Sequence, residues 1–115
     1  FESSFKRNYI HVRDISKVFR HAIKNFESMN NNIYNVGLSD ANISKLELCK
    51  IIKKFIPDFV YIDEPIGEDP DKRNYIVSNE KIEKTGFQPS VSIEDGIQEL
   101  IKGFTMIRNN YHGNV

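Results

Sequence analysis

The sequence predicts an α+β fold with four helices and several short strands. Segments whose apolar residues recur three and four positions apart alternate with short runs of β-branched and aromatic residues. Ser, Asn, Gly and Pro residues stand between these segments, where helix caps and turns need them. At 115 residues the chain is long enough for about one small domain.

The first predicted element is a strand that runs directly into a helix. Residues 9–12 alternate as on a pleated surface, and His11 is expected to pack within that strand. Asp14 stands where a helix takes its N-cap. Residues 15–25 then have the spacing of an amphipathic helix. The stripe predicted to be buried consists of Ile15, Val18, Phe19, Ala22, Ile23 and Phe26.

The middle of the chain predicts a strand at residues 33–36 and a second helix. Ser44 and Glu47 form a capping box, in which the Ser44 hydroxyl accepts from the Glu47 amide while the carboxylate reaches back. The helix is expected to run to about Phe55, because Pro57 cannot continue it. Its buried stripe is predicted to be Leu48, Ile51, Ile52 and Phe55.

The last part of the chain predicts two more strands and two more helices. The strands are residues 59–62 and 75–77. A short helix at 79–85 is expected to be capped by Ser78, and the last helix begins after Ser92. The core stripe of the last helix is predicted to be Ile93, Ile97, Leu100, Ile101 and Phe104.

The composition argues against partners that need a strongly charged protein surface and against a membrane-spanning segment. Lys plus Arg equals Asp plus Glu at 16 each, so neither nucleic acid nor an anionic membrane surface is expected as a partner. No apolar run approaches ~20 residues, so no transmembrane span is expected. The single cysteine, Cys49, favours a reducing cytoplasm. The chain opens at Phe1 without an initiator Met, which favours a piece of a longer protein over a processed small protein.

Motifs for nucleotide cofactors and for catalysis are absent from the sequence. No Gly-x-Gly-x-x-Gly opens a helix, so there is no pyrophosphate cradle, and no tyrosine is followed by a lysine four residues on. The three histidines are isolated and lack metal-ligand spacing. We therefore expect no catalytic, cofactor-binding or metal-binding residue in this chain, and no activity of the piece alone.

Residues 7–15 read Arg-Asn-Tyr-Ile-His-Val-Arg-Asp-Ile and carry a family resemblance. They resemble the Arg-x-Tyr-Ile-His-Val-x-Asp stretch of the extended short-chain dehydrogenase/reductases, the NAD-dependent epimerase/dehydratase family that acts on nucleotide sugars. Further anchors follow in the family's order at residues 33–37, 68–75 and 78–97. The resemblance covers the chain from about Lys6 to Phe104, and anchors in the right order are more specific together than any one alone.

The resemblance implies that residues 1–108 are the C-terminal nucleotide-sugar-binding domain of a larger Rossmann-type α/β enzyme, with 109–115 as a flexible tail. A missing N-terminal dinucleotide-binding domain would hold NAD or NADP and supply the catalytic tyrosine. The complete enzyme would then be an isomerase, a lyase or an oxidoreductase. Open strand edges and exposed apolar surface also favour a homodimer of the piece. Two alternatives stay open: a non-catalytic binding or regulatory protein on the same scaffold, and a small interaction module.

The same resemblance nominates three substrate-binding residues, Arg7, Asp71 and Arg73. The two guanidinium groups can bind phosphate oxygens bidentately and would converge on one diphosphate if their strands are neighbours. Asp71 can accept hydrogen bonds from a ribose diol. Glu68 stands where many members carry an arginine, and its charge would repel phosphate, whereas an Asp-Pro-x-x-Arg pattern ending at Arg73 matches decarboxylase-like members. The alternative is that Asp71 and Arg73 are solvated loop charges.

Overall fold

The computed structural model describes residues 1–64, 67, 70 and 73–107, and these residues adopt an α+β fold. The elements in chain order are β1 (Lys6–Asn8), α1 (Val12–Lys24), α2 (Phe26–Met29), a 3₁₀ turn (Ser39–Ala41), β2 (Asn42–Ser44), α3 (Lys45–Phe55), α4 (Glu80–Glu83) and α5 (Ile93–Met106). The predicted class is confirmed, although the described residues form five helices and not four, because α2 follows α1 after a break at Asn25. The predicted tail at 109–115 lies outside the described residues.

The sheet within the described residues consists of β1 and β2, which pair antiparallel. The register places Lys6 opposite Ser44, Arg7 opposite Ile43 and Asn8 opposite Asn42. Residues 9–12, 33–36, 59–62 and 75–77 were predicted as strands, but none of them belongs to this pair. Side-chain alternation shows which segments suit a strand, whereas a strand forms only where another backbone supplies hydrogen bonds.

α1 begins earlier than predicted, and its N-cap is His11 and not Asp14. The Nδ1 atom of His11 accepts a hydrogen bond from the Arg13 amide at 3.1 Å. Asp14 is fully buried in the first turn and accepts from the amides of Ser90 and Val91 at 3.0 and 2.9 Å. His11 was predicted to pack within a strand and Asp14 to cap the helix, and both predictions were wrong. The Asp14 carboxylate binds amides from a distant part of the chain, and His11 takes its place as the N-cap.

Only part of the predicted apolar stripe of α1 is buried. Val18 lies in a small core, and Ala22 packs against that core. Phe19, Ile23 and Phe26 were predicted to be buried but are exposed. The core cluster consists of Val18, Met29, Ile82 and Phe87, with Ala22, Tyr34 and Val36 packed against it. The apolar arc of α1 is therefore wider than the surface that the other described residues place against it.

Two of the four helix N-caps predicted from local sequence, Ser44 and Ser92, are confirmed. The Glu47 amide donates to Ser44 Oγ at 3.1 Å, and the Ser44 amide donates to Glu47 Oε2 at 2.7 Å, which completes the capping box of α3. That amide hydrogen bond lowers the pKa of Glu47. The Asp95 amide donates to Ser92 Oγ at 3.1 Å at the start of α5.

Three details of the later helices differ from the prediction. α4 is shorter than predicted, and its N-cap is Asn79 and not Ser78. In α5, Ile97 is buried, but Leu100 and Phe104, which were predicted to be core residues, are exposed. No helix in the described part of the chain is long and apolar enough to cross a membrane.

Candidate substrate-binding site

The segment that follows the predicted binding loop lies beside β1. The Lys6 amide donates to Asn74 Oδ1 at 3.0 Å, and the Tyr75 amide donates to the Lys6 carbonyl at 3.5 Å. Further along, the Val77 amide donates to Asn42 Oδ1 at 2.9 Å, and Asn42 Nδ2 donates to the Val77 carbonyl at 3.0 Å. The segment 74–77 therefore follows the β1–β2 pair through side-chain amides and one long main-chain contact, which explains why it is not a regular strand.

Arg7 projects from β1 toward this segment. Its guanidinium carbon lies 5.5 Å from the centroid of the Tyr75 ring, and its Nη1 donates to the Lys6 carbonyl at 2.9 Å. A cation held over an aromatic face has a preferred orientation, so the ring helps to position the guanidinium. Arg73 is exposed and precedes Tyr75 by two residues. The structure thus places Arg7 beside the segment that Arg73 begins, whereas Asp71 lies outside the described residues.

Two further side chains near Arg7 were not nominated from the sequence. Burial raises the pKa of Tyr9, and the positive charges of Arg7 and Lys45 oppose that shift without cancelling it. Lys45 Nζ also donates to the Phe1 carbonyl at 2.9 Å. A sequence signal existed for Tyr9, because residues two apart on a strand share a face and Tyr9 follows Arg7 by two. The position of Lys45 depends on the β1–β2 pairing, which the sequence did not show.

The residues around Arg7 form a basic aromatic cluster, which we define as Arg7, Tyr9, Lys45 and Tyr75. Two cations beside two phenol rings suit an anion that is attached to a planar or apolar group. A tyrosine phenol is protonated at neutral pH, and burial raises the pKa of Tyr9 further, so its hydroxyl can donate a hydrogen bond. Within the described residues, His, Cys, Asp and Glu side chains form no group of three that could hold a metal ion.

Two cavities border this cluster. A groove of about 350 Å³ lies between residues 9–12, α3 and α5. Its lining is mainly apolar and includes Tyr9, His11, Leu48, Ile52, Ile97 and Leu100. A smaller cavity of about 120 Å³ is lined by Lys45, Cys49, Tyr61 and Asp63, among others. Tyr9 therefore lies where the basic aromatic cluster meets the apolar groove, and Lys45 lies where it meets the smaller cavity.

Asp14 is a fully buried carboxylate with a lowered pKa, and its contacts are structural. Burial by itself would raise its pKa, but hydrogen bonds from Lys17 and from the Val91 and Ser90 amides outweigh this and lower the pKa of Asp14. The carboxylate is fully buried and bonded on both oxygens. It fastens the first turn of α1 to the loop before α5, away from open solvent.

Comparison with known proteins supports a broad relationship to nucleotide-sugar epimerases. No family model matches the chain. CDP-paratose 2-epimerase from Salmonella typhi is 28% identical over 97 residues, which covers 82% of this chain and 28% of that protein. The chain therefore spans less than a third of the length of this curated relative. The similarity supports the resemblance to the NAD-dependent epimerase/dehydratase family at the broad level.

Proposed function

We propose that residues 1–108 are the nucleotide-sugar-binding C-terminal region of an NAD- or NADP-dependent epimerase, dehydratase or reductase. The observation that carries this proposal is the similarity to CDP-paratose 2-epimerase, because it extends over 97 residues and not over a single motif. An N-terminal dinucleotide-binding domain outside this chain would hold the cofactor and supply the reacting groups. The proposed location is the cytoplasm, which the single cysteine favours.

In this proposal the diphosphate of the nucleotide sugar binds at the basic aromatic cluster. Arg7 supplies a planar fork for two phosphate oxygens, and its contact with Tyr75 holds the fork in place. Arg73 would approach the same anion from the segment beside β1, and Asp71 would bind the ribose hydroxyls. The protonated phenol of Tyr9 can donate a hydrogen bond to a phosphate oxygen.

The test is a titration of the full-length protein that contains this chain with CDP-, UDP-, TDP- and GDP-linked hexoses. Arg7→Ala is expected to weaken binding of the preferred nucleotide sugar by about 10-fold or more, equivalent to at least ~1.4 kcal/mol. Arg7→Lys should recover only part of the loss, since an ammonium cannot make the bidentate contact. NAD affinity should stay within about twofold of wild type, because the contact lies on the substrate side.

Arg20→Ala provides the matched control, because Arg20 is an exposed arginine on α1. An Arg7→Ala protein that binds nucleotide sugars as tightly as Arg20→Ala would contradict the assigned contact. A full-length protein that binds nucleotide sugars but turns none over would support the alternative of a non-catalytic binding protein on the same scaffold. A protein that binds none of the four would leave the interaction module as the better description.

A further inference from the structure

Lys45 is the first residue of α3 and directly follows the strand that pairs with β1. The register places Arg7 opposite Ile43, and Lys45 follows Ile43 by two residues. Ser44 between them has an extended backbone, so successive side chains alternate in direction at this point. Lys45 therefore lies on the same side of the strand pair as Arg7, in a diagonal position.

The charges of Lys45 and Arg7 act on the same phenol. Both cations favour the ionised form of Tyr9 and oppose the rise in its pKa that burial causes. The main chain fixes the position of this residue, because the Tyr9 amide donates to the Ala41 carbonyl at 3.1 Å and the Leu38 amide donates to the Tyr9 carbonyl at 3.2 Å. Tyr9 therefore stands within electrostatic reach of two cations that come from different elements.

Two main-chain amides in the first turn of α3 already have acceptors. The Leu46 amide donates to the Ser3 carbonyl at 3.0 Å, and the Glu47 amide donates to Ser44 Oγ at 3.1 Å. Those amides are therefore engaged within the protein and do not serve an anion at this helix end. Recognition of a phosphate at this end of the basic aromatic cluster falls to the Lys45 side chain.

The charges of Arg7 and Lys45 together match the charge of a diphosphate. A diphosphate bridge carries a negative charge on each phosphate at neutral pH, whereas a monophosphate link carries a single charge. The Arg7 guanidinium can bind two oxygens of one phosphate, and an ammonium on a flexible stem binds as a compact point charge. Lys45 is half-buried whereas Arg73 is exposed, so solvent and salt screen the charge of Lys45 less than that of Arg73.

We propose that Lys45 is a specificity-determining residue that binds the second phosphate of the sugar nucleotide, so that the cluster selects diphosphate-linked sugars over monophosphate-linked ones. This inference rests on the proposed function, which places the diphosphate at the basic aromatic cluster. Arg7 holds one phosphate with its planar fork, and the Lys45 ammonium holds the other. The Tyr9 hydroxyl donates a hydrogen bond to the same anion.

Asp63 supplies an opposing charge beside Lys45. Both residues line the small cavity, and Asp63 Oδ2 accepts a hydrogen bond from Ser3 Oγ at 2.9 Å. A carboxylate at this place lowers the positive potential that a phosphate meets. Asp63→Asn keeps the volume and an acceptor for Ser3, so it should raise the affinity for a nucleoside diphosphate by about two- to threefold. A loss of affinity in this variant would contradict a phosphate beside Lys45.

The test is calorimetric titration of the full-length protein that contains this chain, with NAD saturating its own site. The probes are CDP, UDP, TDP and GDP and the four matching monophosphates. Lys45→Met removes the charge but keeps the length of the side chain, and it should weaken binding of the preferred diphosphate by about tenfold and of its monophosphate by less than about twofold. Lys45→Arg should stay within about threefold of wild type. Lys50→Met, which removes an exposed lysine of the same helix, should change neither affinity.

A purely structural role of Lys45 predicts a different result. Lys45 Nζ donates to the Phe1 carbonyl at 2.9 Å, so the residue also ties the start of the chain to α3. If this were its whole role, Lys45→Met would lower the free energy of unfolding and weaken both ligands equally. Equal losses for diphosphate and monophosphate, or a loss no larger than that of Lys50→Met, would overturn the inference.

The same titrations separate this inference from the proposed function. If Arg7→Ala weakens diphosphate binding while Lys45→Met leaves it unchanged, the proposed function stands and only the role of Lys45 fails. If the wild-type protein binds none of the four diphosphates, both the proposed function and the role of Lys45 are overturned.

Discussion

The buried carboxylate of Asp14 is the best-defined polar contact that joins distant parts of this chain. It accepts hydrogen bonds from the Ser90 amide at 3.0 Å, the Val91 amide at 2.9 Å, the Ser90 hydroxyl at 3.2 Å and Lys17 Nζ at 2.9 Å. Asp14→Ala removes all four bonds and leaves two amides without their acceptor. An unsatisfied donor costs about 1–3 kcal/mol when buried, and these amides are only partly buried.

The expected net loss of unfolding free energy for Asp14→Ala is therefore about 2–4 kcal/mol. Asp14→Asn keeps the volume and one acceptor oxygen but turns an NH₂ toward the amides, so a loss of about 1–2 kcal/mol is expected. The assay is urea denaturation of the smallest stable form of the protein that contains residues 1–107, followed by circular dichroism. Asp40→Ala, which removes an exposed carboxylate, should change stability by less than ~0.5 kcal/mol.

The same contact predicts a pH dependence with a definite sign. The hydrogen bonds lower the folded-state pKa of Asp14, so its stabilising effect is fully present above the unfolded value of about 3.9. The effect disappears as the pH falls through the lowered folded pKa. The stability gap between wild type and Asp14→Asn should accordingly narrow between about pH 5 and pH 2. A gap that stays constant over this range, or an Asp14→Ala loss no larger than that of Asp40→Ala, would refute the reasoning.

Three further predictions concern local structure and the cofactor. Ser44→Ala removes the side-chain acceptor of the α3 capping box and should cost about 1 kcal/mol, against less than ~0.5 kcal/mol for the exposed Lys50→Ala, both measured by urea denaturation. Gly37→Ala should lower the free energy of unfolding by about 1–3 kcal/mol, because the added Cβ would overlap the side chain of Asn8. Gly103→Ala, in α5 with nothing within 4 Å of the added carbon, should instead raise the free energy of unfolding by up to ~1 kcal/mol, and with it the melting temperature. Residues 1–115 alone should show no NAD binding by calorimetry at micromolar concentrations and no turnover of nucleotide sugars. Either NAD binding or turnover would contradict the proposal that the cofactor site and the reacting groups lie in a domain outside this chain.

Local sequence alone predicted the approximate positions of four of the five described helices and the start of two of them, α3 and α5. The Ser44–Glu47 box and the Ser92 cap involve residues three apart, so their hydrogen bonds follow from the chain's own helical geometry and need no distant partner. The family resemblance could also be recognised from local sequence, because it consists of short motifs that follow one another in the family's order. Arg7 could be nominated in this way before its surroundings were known.

The tertiary structure decided every feature that depends on a partner distant in sequence. The periodicity of α1 could not show that Val18 faces the core while Phe19 and Ile23 do not, because all three lie in one apolar arc and only the neighbouring elements decide which part of it is covered. The local sequence indicated that Asp14 caps a helix, whereas in the structure its carboxylate accepts hydrogen bonds from the distant Ser90 and Val91 amides. Strand positions failed for the same reason, since a strand is completed by another backbone, and residues 33–36 have the side-chain pattern without that partner.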